Sequence, residues 1–309
     1  MTVSSTAPDA MAGEEPAFIR RLGRMLLADR FALVAALFLV LMLVLALVGP
    51  AWLNDEAIKQ NLRGRNLAPF DWSRDWLWWL GADALGRPLL ARIIVAAQNT
   101  LMVAAGAVLI SAVVGTFLGL LAGFSSPRVS QAIMRLADVI MSFPSLLIAV
   151  IVLYLLGSSI LNLMLVLSIT RIPVYLRTTR AEVLEVRERM FVQAARVMGA
   201  SSRRILFRHI LPIVFPTLTT LATLDFAYVM LAESALSFLG IGIQPPDITW
   251  GLMISQGRQY LTNAWWLSFW PGLAIILTTL SLNLLSNWLR IALDPTQRWR
   301  LEMKGGTRG

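Results

Sequence analysis

Hydrophobic and polar positions along the chain sort into long apolar runs joined by polar segments. Six stretches, about 31–50, 101–124, 136–156, 160–176, 213–239 and 271–289, approach the ~20 apolar residues that cross a bilayer's hydrocarbon core. Backbone polar groups in lipid must be satisfied within their own segment, so these stretches predict spanning helices. The expected fold class is therefore an all-α polytopic membrane protein. Segment 51–98 is polar, with Trp52, Trp72, Trp76, Trp78 and Trp79 of the kind that sit at a membrane interface. Tyr260, Trp265, Trp266 and Trp270 form a second such set. The fourth stretch is the least regular, because Arg171 and Pro173 interrupt it.

Charge orients the spans. With the N-terminus inside, the inner segments carry four basic residues in 1–30, two at Arg128 and Arg135, nine in 171–208 and five in 290–309. The outer segments carry six in 51–99 and one, Arg258. Removing the fourth span would put the nine-arginine segment outside, against the positive-inside rule. The expected organisation is a cytoplasmic segment 1–30, a membrane domain 31–290 with a cytoplasmic loop at 177–212, and a cytoplasmic tail 291–309. The first apolar run is too long for a typical signal peptide, and no clear small-residue cleavage site follows it. Gly115, Gly119 and Gly123, spaced by four in the second span, predict a face that another helix approaches closely.

Composition narrows the chemistry. Of 309 residues 57% are hydrophobic, too many for a soluble domain, and the mean hydropathy is +0.68. Cysteine is absent, which removes disulfides, thiol nucleophiles and thiolate metal sites. The single histidine, His209, cannot build a multi-histidine metal site. Lys59 and Lys304 are the only lysines, and neither stands in the G-x4-G-K-[ST] setting of a phosphate-binding loop. No cofactor is expected on this chain.

The arginine-rich stretch Phe191–Pro212 reads as helix, turn, helix. Gln193, Ala194 and Ala195 favour a helix that Gly199 can end in the left-handed conformation. After Ala200, Ser201 or Ser202 can cap a second helix that carries Arg203, Arg204, Ile205 and Leu206, before Pro212 resets the chain. Upstream, Thr179-x-x-Glu182 has the form of a capping box, predicting a helix over about Arg180–Met198. One oily and one basic face suit a plug for a partner protein.

Within the spans, Asp138, Ser142, Phe143 and Pro144 place a proline in the third, where it kinks the helix. Ser142 can satisfy part of the freed backbone. The kink either lines a pathway or accommodates packing. Asp225 and Glu233 lie about two turns apart on the fifth span. They face water, pair with Asn283 or Asn287, or, for Glu233 near the outer end, sit at the interface. If they couple transport to an ion gradient, the chain is a secondary transporter. A third possibility is a structural subunit whose loop tethers a partner. After the fifth span, Gly240–Trp250 carries Pro245-Pro246, which suits a rigid re-entrant or surface loop rather than a dinucleotide site.

The Q-A-A-x3-G order closing on Ile210-Leu211-Pro212 resembles the EAA loop of bacterial ABC importer permeases, with Gln193 where that family has glutamate. Other segments resemble the C-type permease of the dipeptide/oligopeptide/nickel subfamily. They are Leu80–Arg87, Asp138–Pro144, Ala232–Gly240, Gln244–Gly251 and the closing Leu293–Pro295. Ala82 and Pro88 depart from the first of these motifs. The resemblance implies a MetI-like fold whose Gln193–Pro212 loop docks on an ATPase in the bacterial inner membrane. It also implies a second, B-type permease, two ABC ATPase subunits that hold ATP and magnesium, a periplasmic or extracellular solute-binding protein, surrounding lipid, and no nucleic acid. Peptide is the expected cargo. Nickel chelates, glutathione and opine-like compounds share the same motifs.

Overall fold

The computed structural model describes residues 22–293. The expected polar ends lie largely outside these residues, as do Arg20, Arg21 and the Asp294–Pro295 end of the closing motif. Among the described residues there is no strand, and the all-α polytopic architecture is what the sequence forms.

Residues 22–28 are helical and lead into α1 (Arg30–Ile58), which Asp29 caps by accepting the Ala32 N–H at 3.3 Å. Helix α1 is apolar all round, with Phe31, Leu37 and Leu47 exposed, as a helix facing lipid requires. Helix α2 (Leu89–Phe124) begins well before the expected residue 101. Its first turns carry Arg92 and Asn99, whose polar groups find partners: Arg92 pairs with Asp83, and Asn99 donates to the Ile248 carbonyl at 2.9 Å. Those polar residues hid the start of the helix from its apolar pattern.

The third expected span is not one helix. Helix α3 (Pro127–Met141) and α4 (Ser145–Leu156) meet at 81°. Pro144 cannot donate a backbone hydrogen bond and pushes Phe143 away from helical geometry, so the chain breaks instead of bending. The fourth span, α5 (Ile160–Val186), runs unbroken past Arg171 and Pro173 and well beyond residue 176. The remaining helices are α6 (Met190–Val197), α7 (Ser202–Phe238), α8 (Trp250–Gly257) and α9 (Trp266–Leu293). Helices α1, α2, α5, α7 and α9 are long and apolar enough to span, and the bent α3–α4 pair makes a sixth if it counts as one span.

The closest helix contact is between α2 and α5, which run parallel. A Cβ placed on Gly115 would lie 2.5 Å from the Tyr175 Cβ, and one on Gly119 would lie 2.5 Å from that of Thr179. One on Gly123 would lie 2.6 Å from a Val183 methyl. Only hydrogen fits, so the expected glycine face has a named partner in matched four-residue steps, 115–119–123 against 175–179–183. Close approach of this kind is how helices gain contact energy where water expulsion gives none. The main core gathers Ala104, Ala107, Leu163, Leu167, Met230 and Trp250 from α2, α5, α7 and α8. A second core, containing Tyr175, Val183, Val192, Ile205 and Val214, closes the end where α6 sits.

Replacing Gly119 with leucine forces α2 and α5 apart, and overpacking of this kind costs about 1–3 kcal/mol. The expected outcome is a lowered melting temperature and reduced monodisperse yield in detergent. Gly272→Leu, at a site whose nearest neighbour is 3.9 Å from the added Cβ, leaves both unchanged.

Candidate functional site

At the end of α5, Arg187 donates from Nη1 to the Gly123 carbonyl at 3.0 Å and so covers the C-terminal turn of α2. The expected capping box at Thr179 is not one. Thr179 is buried in the middle of α5 against Gly119, where the glycine face holds the helix continuous. Glu182 accepts instead from the Thr217 hydroxyl of α7 at 3.1 Å. The helix expected over Arg180–Met198 therefore breaks at Arg187–Arg189, and α6 is a separate piece.

Gly199 ends α6 at φ +81°, the left-handed conformation its position predicts. The N–H of Ala200 returns to the Ala195 carbonyl at 3.0 Å. Of the two serines, Ser201 is the cap, accepting the Arg204 N–H at 3.4 Å. Pro212 does not reset the chain. Residues Ile205–Ile210 widen into a π-helix, with the Leu211 N–H reaching the Leu206 carbonyl. The widened turns accommodate a proline that has no N–H to give, and α7 continues without a break to Phe238.

The element has two faces. Val192, Ala195, Ile205 and Ile210 are buried, and Ala200 packs against the same core. Gln193, Ala194, Arg203, Arg204 and Pro212 are exposed. Gln193 folds back to donate to the Glu188 carbonyl at 3.1 Å, leaving its Oε1 free to accept. Sequence reasoning missed Met190, Val197 and Met198, which are 87%, 89% and 81% exposed. The sequence pattern, which predicts one helix over Arg180–Met198, does not mark them; the separate eight-residue α6 is too short to bury apolar residues on every side. The segment thus shows solvent an apolar strip beside Arg203 and Arg204.

Deeper in the bundle, Asp225 of α7 is buried and pairs with Arg171 of α5, whose guanidinium also lies 4.3 Å from the centre of the Tyr228 ring. Asp225 is what lets α5 carry Arg171 at this depth: the charge is neutralised by a carboxylate rather than exposed to lipid. The expected partners Asn283 and Asn287 are exposed and do not reach Asp225 or Glu233. Glu233 is wholly buried, not at an interface, and accepts from Ser237 at 2.8 Å and Ser234 at 3.3 Å. The loop after α7 folds back over it, Gly242 against Ser237 and Gly251 of α8 against Ser234. Asp225 and Glu233 are about 12 Å apart along α7 and share no partner.

Asp138 is half exposed and pairs with Arg177 at 2.5 Å, tying α3 to α5. Ser142 donates to the Asp138 carbonyl at 2.7 Å, which satisfies backbone at the break. Phe143 is exposed, and Pro144 opens α4. Among the described residues, no group of three or more His, Cys, Asp and Glu could hold a metal ion.

Residues 115–299 match the family described as binding-protein-dependent transport system inner membrane component. A di/tripeptide transport system permease protein of Pseudomonas aeruginosa is 40% identical over 269 residues, covering 86% of this chain and 88% of its own length. A probable D,D-dipeptide transport system permease protein of Escherichia coli is 35% identical, covering 88% and 89%. A nickel transport system permease protein of the same organism is also 35% identical, covering 87% and 96%.

Leaving one member of a buried ion pair uncompensated costs about 3–5 kcal/mol, whereas replacing both with apolar groups is close to neutral. Asp225→Leu is therefore expected to lower the melting temperature sharply in detergent. The double change R171M/D225L restores most of that loss, and a double variant no better than the single one would count against the pair.

Proposed function

This chain belongs to the family of binding-protein-dependent transport system inner membrane components, and on that premise we propose that it forms half of a peptide translocation pathway in the bacterial cytoplasmic membrane. It is a permease of an ABC importer. Di- and oligopeptides are the cargo that its relatives' names favour, with a nickel chelate the second reading. A second permease would supply the other half of the pathway. Two ATPase subunits that hold ATP and magnesium would act from the cytoplasmic side, and a solute-binding protein would deliver cargo from the other.

The observation that carries this reading is the α6–Gly199–α7 element. Its outer face is apolar and arginine-flanked, and its inner face is locked into the core that joins α2, α5 and α7. The second arm of the element is the first turn of α7 itself, with no hinge between them. A push on the exposed face is therefore delivered to a spanning helix as a rigid displacement, which is the mechanical requirement of alternating access. Arg203, Arg204 and the Met190–Met198 strip would contact the ATPase. Asp138, Ser142, Phe143 and Pro144, at the α3–α4 break, would line or gate the pathway.

An ion-coupled secondary transporter is not favoured. Asp225 already carries Arg171 as its counter-charge, and Glu233 is sealed among serines under a loop. Neither presents the exchangeable carboxylate that ion coupling needs.

Gly199 has open space around its Cα, so its requirement is conformational rather than steric. Gly199→Val adds roughly 1–2 kcal/mol of left-handed strain and re-aims the second arm. Peptide uptake by reconstituted vesicles is expected to fall severalfold while ATP hydrolysis persists. Gly199→Asn, which tolerates this conformation, retains most uptake. Full transport by the valine variant would refute the role given to this turn.

Charge reversal at Arg203 and Arg204 together is expected to reduce recovery of the ATPase with the tagged permease by several-fold, more so as salt is raised. Unchanged recovery would remove both arginines from the contact.

A further inference from the structure

A cavity of about 430 Å³ lies at the end of the bundle opposite the basic turn, walled by the loop before α2, the N-terminus of α2, and α8 with the turn that follows it. The 36 residues of α2 separate the two ends by about 54 Å. The charge of this cavity is unbalanced. Arg87, Arg92 and Arg258 line it together with one carboxylate, Asp83. That carboxylate is saturated: it accepts from the backbone of Leu85 and Arg87, both at 2.9 Å, from Arg87 Nε at 2.7 Å, and from Arg92.

Two features remain unspent. Arg92 is 2% exposed, and its Nε is buried with no acceptor, although one terminal nitrogen reaches Asp83 and the other reaches Gln256 at 3.2 Å. Arg258 makes no ion pair among the described residues, and its guanidinium stands 5.2 Å from the centre of the Phe238 ring. Beside it, Gln259 and Tyr260 make no side-chain hydrogen bond among the described residues. The site thus offers a buried positive floor, an exposed positive rim and free polar groups in a concavity of small-ligand size.

We propose that this cavity is a carboxylate-binding subsite for the transported solute, with Arg258 as the rim contact and Arg92 fixing the floor potential. A guanidinium without a counter-charge, in a partly enclosed site, binds an anion more strongly than it would in open water. The volume admits a molecule the size of a dipeptide, whose terminal carboxylate is the negatively charged group common to every unmodified linear peptide. A small free solute is favoured over an acidic protein side chain because the arginines line a concavity of small-ligand size, not a flat face. The inference rests on the proposed peptide-permease reading and names where such a solute would pause.

The test uses the complete transporter containing this chain, in lipid nanodiscs without a solute-binding protein, titrated calorimetrically with alanyl-alanine and with its C-terminal amide. Saturable binding of the acid is expected, with the amide about tenfold weaker, and with the difference shrinking at high salt. Arg258→Gln should weaken the acid by about tenfold and abolish the preference, while the exposed position leaves ATPase recovery and melting temperature intact. Equal binding of acid and amide, no saturable binding of either, or an undiminished preference in the variant would overturn the subsite. Failure of ATPase co-purification in the parent complex would instead overturn the permease reading, so the two failures are distinguishable.

Discussion

The contact between α2 and α5 is what the rest of this structure depends on. Three glycines on one face of α2 let the backbone of α5 approach until no side-chain atom can be added between them. In lipid there is no water to expel, so attraction between helices rests on the number of atoms brought to van der Waals distance. That contact explains why α5 stays helical past a proline and through Thr179, which is buried against Gly119. It also brings Arg187 to the last turn of α2 and positions Tyr175 and Val183 to form the core on which α6 and the start of α7 are seated.

The polar residues inside the bundle follow from the same constraint. An arginine at depth is tolerated where a carboxylate meets it, as Arg171 meets Asp225 and Arg92 meets Asp83. A lone carboxylate is tolerated where hydroxyls donate to it, as Ser234 and Ser237 do to Glu233. Each group belongs to a different helix junction: α5 with α7, α2 with the loop before it, and α7 with the loop that covers its end. Together they fix how the helices register, while the basic turn at one end remains exposed at the start of α7.

Much of the basic helix–turn–helix was legible in the sequence because it obeys local rules. Gly199 takes the left-handed conformation and Ser201 caps the next helix, since these depend on a few neighbouring residues. The errors arose where local signals were overruled. Thr179-x-x-Glu182 has the form of a cap, yet packing against Gly119 keeps Thr179 inside a helix. Pro212 has the form of a break, yet a π-helical stretch absorbs it. Pro144 looked like a kink and is a full break, because Phe143 and Pro144 both leave helical geometry. Met190, Val197 and Met198 were overlooked because hydrophobic periodicity marks residues that are buried, and these are the ones left over.

By itself the sequence determined the all-α membrane class, the glycine face, the arginine-rich helix–turn–helix and the motifs of a permease family, because all of these reside in residue order and spacing. Only the tertiary structure decided which helix the glycine face meets, which residue neutralises Asp225, which hydroxyls donate to Glu233, and where α2 begins. It also decided that Arg92, Asp83 and Arg258, far apart or unremarkable in sequence, share one cavity. The physical reason is that the cost of a buried charge or a missing hydrogen bond depends on what lies across from it. In a helical bundle those neighbours come from other helices, so spacing within one segment cannot supply them.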